Sequence, residues 1–137
     1  MSYSIRRTED EQTVYALHLL IFPCDEWEPS DAYWLVRDEH GEPVGFCSTK
    51  YLAAEKTVFF SRAGLLPRAR GNGLQRRMIQ VRERWAASIE AEAIVTYVVY
   101  GNNSSLANLL KRGYLLYEPA RSWAGEVHYF QKTIPPD

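Results

Sequence analysis

Residues 94–100, Ile-Val-Thr-Tyr-Val-Val-Tyr, form a nearly continuous apolar run. A half-buried strand would alternate apolar and polar residues. This run does not, so it predicts a strand covered on both faces. Such a strand needs a sheet with layers packed above and below it. The neighbouring segments supply helices for those layers. Upstream, Leu74, Met78, Val81 and Trp85 recur on one stripe of a helix reaching about Ser88. Downstream, Gly101, Asn102 and Asn103 break the run. A short helix follows from about Ser104 to Arg112, with Gly113 at the position that closes it.

The rest of the chain fits around this centre. A strand is expected over residues 3–7, then a helix from Thr8, where Thr8 and Glu11 have capping-box spacing. Val14, Leu17 and Ile21 would face the core, and Phe22-Pro23 would stop the helix. Residues 24–31 read as an acidic loop carrying Trp27 and Pro29. Residues 33–37 and 44–51, joined by the turn Asp38-Glu39-His40-Gly41-Glu42, predict an antiparallel hairpin. A strand over residues 57–66 is interrupted by Gly64 and stopped by Pro67. Strands at 114–117 and 127–134 finish the chain, and residues 135–137 read as a disordered tail. The order is β-α-ββ-β-α-β-α-β-β. It predicts one α+β domain over residues 1–137, a mixed, mostly antiparallel central sheet flanked by helices in three layers.

A chain of 137 residues can bury a core without disulfides. Its two cysteines, Cys24 and Cys47, match no metal or redox spacing, so no metal is expected. The net charge of -1 argues against a polycation that coats nucleic acid or an anionic membrane. No apolar stretch reaches signal-peptide or membrane-span length, so the expected location is the cytoplasm. The arginines are nevertheless concentrated. Arg62, Arg68, Arg70, Arg76, Arg77, Arg82 and Arg84 lie close together in sequence. They form either a solvated face or a local site for a phosphorylated ligand.

The second reading gains weight from Arg70-Gly71-Asn72-Gly73-Leu74-Gln75. A strand, two glycines and a helix start aim unpaired N–H groups and a positive dipole end at one point. A phosphate is well held there. A Walker A loop would need Gly-Lys-Ser/Thr, which is absent. A dinucleotide fingerprint would need a third glycine where Arg76 stands.

The loop resembles the acyl-CoA pyrophosphate loop of the GNAT superfamily of N-acyltransferases, Arg/Gln-x-x-Gly-x-Gly/Ala, with Gln75 departing at its last position. Leu65-Leu66-Pro67 resembles the family's Val-x-Pro approach. Asn102-x-x-Ser105, with Arg112-Gly113-Tyr114 beyond, resembles its Asn-x-x-Ala/Ser…Gly-Phe/Tyr segment. The resemblance implies an N-acetyltransferase that moves an acetyl or short acyl group from CoA to a primary amine in a ternary complex. It implies that Arg70, Gly71, Asn72, Gly73, Leu74 and Gln75 hold the pyrophosphate. Leu65 would pair with the pantetheine arm through its main chain, and Asn102 and Ser105 would contact the lower cofactor. Asn102 and Ser105 are equally suited to helix capping.

Catalytic groups are harder to assign. Leu109 stands where many members carry the tyrosine that protonates the departing thiol. No glutamate occurs on the strand before the loop. Candidates to take the amine's proton are Glu26 or Asp25, Ser61 through water, and Tyr97 or Tyr100. Cys24 and His18 are further options. The acceptor is expected to be a small amine or a protein or peptide amine, and a homodimer is compatible with the chain. The acidic, aromatic stretch from Cys24 to Trp34 would suit a cationic amine or be a self-packed loop. The other reading open at this stage is a non-catalytic acyl-CoA-binding or sensing module.

Overall fold

The computed structural model describes residues 2–119 and 126–135. Pro136 and Asp137, at the end of the expected tail, lie outside them. The elements are β1 (Ser4–Thr8), α1 (Glu11–Ile21), β2 (Ala32–Arg37), β3 (Pro43–Leu52), β4 (Thr57–Leu65), α2 (Leu74–Ser88), β5 (Ala93–Val99), α3 (Asn103–Lys111), β6 (Leu115–Tyr117) and β7 (Val127–Thr133). Short 3-10 turns at Ala53–Glu55 and Pro67–Ala69 flank β4. The strands run in the order β1-β2-β3-β4-β5-β7-β6 as a mixed sheet. The chain divides into two compact units. The first takes the described residues up to Lys50 together with Phe60–Arg82. The second takes Tyr51–Phe59 and the described residues from Glu83 onward.

In the first unit, β1, β2 and β3 form antiparallel ladders, with Ile5 opposite Val36 and Trp34 opposite Cys47. Val14 and Leu17 of α1 pack with Tyr33, Leu35 and Phe46. The helix starts later than the Thr8–Glu11 spacing suggests. Thr8 stays in β1 opposite Tyr33, and Asp10 becomes the cap. Its carboxylate accepts from the Thr13 N–H at 3.2 Å and from the Thr13 hydroxyl at 2.6 Å, so it satisfies an orphan donor of the first turn. Gly64 is where α1 meets β4: a Cβ there would lie 2.6 Å from Ile21 and 2.9 Å from Phe22.

In the second unit, β4 and β5 form a parallel ladder of three pairs, Thr57–Ala93, Val58–Ile94 and Phe59–Val95. β5 and β6 both run antiparallel to β7. Ile94, Val95, Thr96 and Val98 are buried, as expected of a strand covered on both faces. α3 ends in a Schellman closure. Gly113 takes φ +88°, its N–H bonds the Leu110 carbonyl, and the Tyr114 N–H bonds the Leu109 carbonyl.

The buried stripe of α2 differs from expectation. Leu74, Met78, Ile79, Arg82 and Ala86 are buried, while Val81 and Trp85 are only partly so. Arg82 fits inside because its Nε donates to the Met78 carbonyl at 3.1 Å and its guanidinium lies 4.2 Å from the Phe60 ring centre. A delocalised cation on a ring face tolerates burial better than an ammonium would.

Candidate functional site

The glycine loop lies in the first unit, between β4 and α2. Pro67 starts a single 3-10 turn, in which the Arg70 N–H bonds the Pro67 carbonyl. Gly71 and Gly73 then adopt φ +82° and +71°. A Cβ on either would meet nothing within 4 Å, so backbone torsion, not crowding, requires glycine here. The Asn72 side chain is turned into the loop. Its amide donates to the carbonyls of Ala69 and Arg70 at 2.9 and 3.1 Å. Buried Leu74 anchors the start of α2.

The first main-chain bond of α2 is Arg77 N–H to the Gly73 carbonyl. The backbone N–H groups of residues 71–76 have no acceptor among the described residues. Six consecutive donors without such an acceptor, beside the positive end of a 15-residue helix, have the chemistry to receive an anion. Gln75 belongs to the first turn of α2, not to the loop.

The arginine cluster separates into different roles. Arg62 pairs with Asp25 at 3.0 Å and Arg68 with Asp38 at 2.8 Å. Arg77 donates to the Tyr3 carbonyl, and Arg82 is buried. Arg70 and Arg76 are exposed, with no side-chain partner among the described residues, and so remain available to an anion. Arg68 lowers the Asp38 carboxyl below its ordinary value by a direct hydrogen bond, which outweighs the opposing effect of burial.

The acidic loop is largely neutralised. Asp25 is taken by Arg62, and Glu28 faces Lys50 at 3.6 Å. Glu26 is exposed and has no side-chain partner among the described residues. Trp27 stacks on Tyr33 at 5.9 Å and meets Tyr15 and His18 edge-on. His18 is buried, with Nε2 3.1 Å from the Asp25 carbonyl. The loop is thus held through Trp27 against the rings of α1 and β2. Ser61 on β4 lies between two other hydroxyls, Ser30 at 2.9 Å and Ser48 at 2.8 Å. Cys47 is buried, and burial pushes its thiol up to about 11. Cys24 is exposed.

In the second unit, Asn102 caps α3 by accepting from the Ser105 N–H at 3.4 Å, so the helix starts at Asn103. The capping role read from sequence is occupied, and Ser105 takes part through its main chain. Leu109 is buried within α3. Tyr100 is exposed, its ring 4.6 Å from that of His128. Tyr97 stacks on Phe59 and meets Tyr129 edge-on. A polar cluster that sequence reasoning missed joins Glu83 to three donors. Arg112 and Lys132 pair with its carboxylate, and the Tyr114 hydroxyl donates to it at 2.9 Å. Among the described residues, no group of three or more His, Cys, Asp or Glu side chains could hold a metal ion. No described helix is long and apolar enough to cross a membrane.

Comparison with known proteins supplies the context. The family model "Acetyltransferase (GNAT) family" matches residues 3–114. The Escherichia coli ribosomal-protein-S18-alanine N-acetyltransferase superposes with TM-score 0.79 at 11% identity, covering 99% of this chain and 96% of that one. The IAA acetyltransferase of Bacillus cereus superposes with TM-score 0.78 at 13% identity, covering 97% and 100%. A phosphinothricin acetyltransferase from Sinorhizobium meliloti, solved in complex with AcCoA, gives 0.75 at 17% identity, covering 98% and 89%. A sequence search of curated proteins finds no match.

Proposed function

Because the chain belongs to the GNAT family of acetyltransferases and is an enzyme of that class, we propose that it transfers an acetyl or short acyl group from CoA to a primary amine. In this reading the amine attacks the thioester directly within a ternary complex, and the described units work together as one acyltransferase domain. The observation that carries it is the row of six N–H groups over residues 71–76 that have no acceptor among the described residues, in a loop shaped by two glycines at positive φ.

Those donors would take the CoA pyrophosphate, with Arg70 and Arg76 adding charge. The chemistry of the donor set fits: backbone N–H groups and guanidinium groups are the natural partners of phosphate oxygens. The left-handed glycines also suggest a different register for the motif. Arg-x-x-Gly-x-Gly falls on Arg68, Gly71 and Gly73 without a mismatch, and Gln75 then supplies a helix-start N–H. Leu65 would pair its main chain with the pantetheine arm, as an added strand would. Asn102 and Ser105 would present the start of α3 to the lower cofactor while Asn102 continues to cap that helix. A backbone N–H near the end of β4 is the natural donor to the developing oxyanion. Tyr100, exposed and phenolic, is a candidate to protonate the leaving thiolate in place of the position occupied by Leu109. Glu26, exposed and without a side-chain partner among the described residues, is a candidate to draw the ammonium in.

Gly73→Trp tests the loop. The substitution strains a φ of +71° and places a bulky ring over the donors. Acetyl-CoA binding should fall at least about 100-fold in calorimetry, while far-UV circular dichroism stays that of the parent. Unchanged affinity would refute the assignment. Binding without transfer across a broad amine panel would instead indicate a sensing module.

A further inference from the structure

We propose that Ser61, Ser30 and Ser48 form a hydroxyl relay that removes the acceptor amine's proton, an inference that rests on the acetyltransferase reading above. β4 runs Thr-Val-Phe-Phe-Ser-Arg-Ala-Gly-Leu and offers no carboxylate. Of the acids in residues 24–31, Asp25 is held by Arg62 and Glu28 by Lys50, and exposed Glu26 is given above the part of drawing the ammonium in. Instead, three hydroxyls from three separate segments meet at β4. Ser61 lies 2.9 Å from Ser30 and 2.8 Å from Ser48, within the range of good O–H···O bonds. In both contacts either oxygen can donate, the property that lets a chain of hydroxyls shift protons in step.

The two ends of the chain differ. Ser48 is 1% exposed and fixes the orientation of the Ser61 hydroxyl from the buried side. Ser30 is half-buried in the loop, and its N–H donates to the Tyr33 hydroxyl at 2.7 Å. Burial raises the Tyr33 phenol above its ordinary value, which keeps it a neutral anchor. The other titratable and charged groups around the chain include the Asp25–Arg62 and Glu28–Lys50 pairs, with His18 behind Asp25, and Asp31 and Glu11, whose charges act on the Tyr33 phenol.

The step balances as follows. The ammonium passes one proton to the Ser61 oxygen as Ser61 passes its own to Ser30, and Ser30 passes its own to water. The freed lone pair forms the C–N bond to the thioester carbonyl carbon. The C–S bond breaks, and a second nitrogen proton goes to the thiolate. One proton is released overall. Ser61 is the catalytic residue of this scheme, while Ser30 and Ser48 are positioning residues.

The test compares the parent chain with Ser61→Ala, Ser30→Ala and Ser61→Thr. Each is assayed for acetyl transfer to an amine panel over pH 6–10 and for acetyl-CoA affinity by calorimetry. A relay predicts a loss in kcat at pH 7 of about 100-fold for Ser61→Ala and about 10-fold for Ser30→Ala. The loss should shrink as pH rises toward an alkyl amine's own pKa, about 10.4 for lysine. Ser61→Thr should restore the rate, and acetyl-CoA affinity should not move. Losses of equal size at every pH, or none, would overturn the relay alone. Acetyl-CoA binding by the parent without transfer to any amine would overturn the relay together with the enzymatic reading. Absence of acetyl-CoA binding would overturn both and the loop assignment as well.

Discussion

Replacing Glu83 by alanine should destabilise the protein substantially, because one carboxylate serves three donors. The side chain of Glu83 is 14% exposed. Tyr114, 1% exposed, donates its hydroxyl to Oε2 at 2.9 Å. Lys132 reaches the same oxygen at 3.1 Å and Arg112 pairs with Oε1. Without the carboxylate, the buried phenol loses its acceptor, at about 1–3 kcal/mol. Arg112 and Lys132 are each 31% exposed and can rehydrate, so about 0.5 kcal/mol apiece is a fair allowance. The total is about 3 kcal/mol. At about 2.1 cal/mol/K per residue, 137 residues give an unfolding entropy near 0.29 kcal/mol/K, so Tm should fall by about 10 °C. Glu83→Gln keeps an acceptor but not the charge and should lose roughly half as much. The pH dependence adds a second check. Burial raises the Glu83 carboxyl, but the bonds from Arg112, Lys132 and Tyr114 outweigh it and hold it below the ordinary 4.5. A depressed folded-state value means the stabilisation is complete above the unfolded value and is lost as pH falls through the folded one. The parent's advantage over Glu83→Gln should therefore be constant from pH 7 to about 5 and should shrink below 4.5. Calorimetric scans from pH 7 to pH 3 measure both effects. A Tm shift under about 2 °C for Glu83→Ala, or a pH-independent gap, would refute the reasoning.

Gly64→Ala should cost about 1–3 kcal/mol, because the added methyl would lie 2.6 Å from Ile21 and 2.9 Å from Phe22; a urea midpoint unchanged from the parent would contradict this. A thiol reagent at pH 8 should label Cys24 quickly and leave Cys47 unlabelled until the protein unfolds, since Cys47 is buried with its thiol pushed up to about 11. Peptide mapping showing both cysteines labelled at equal rates would contradict that expectation.

The fold was largely legible in the sequence because its signals are local. The unbroken apolar run of β5, the hairpin turn between β2 and β3, and Gly113 after α3 each act over a few residues. Misreadings arose where a tertiary partner decided the outcome. Thr8 had good capping spacing, but pairing with β2 kept it in a strand and left Asp10 to cap α1. Arg82 belongs to a cluster that reads as either a solvated face or a phosphorylated-ligand site, yet a ring face and a helical carbonyl give it a buried place that charge alone does not foretell. The glycine loop was visible because positive φ is written into residue type. The serine chain was not, because its members lie 31 and 13 residues from Ser61 and share no periodicity. The Glu83 cluster was hidden in the same way: its partners stand 29, 31 and 49 residues away.

The Asn72 amide, clasping two carbonyls of its own loop, has a thermodynamic consequence. Ordering one backbone residue costs about 1–2 kcal/mol of conformational entropy. A floppy loop would meet that cost at the moment an anion arrived. Here it is met during folding, so the binding free energy is not reduced by it. If the clasp spares even two residues that cost, the gain in affinity is on the order of 100-fold. An anion that docks there should meet a surface already in its final shape, and its arrival should leave the backbone conformation of this loop almost unchanged.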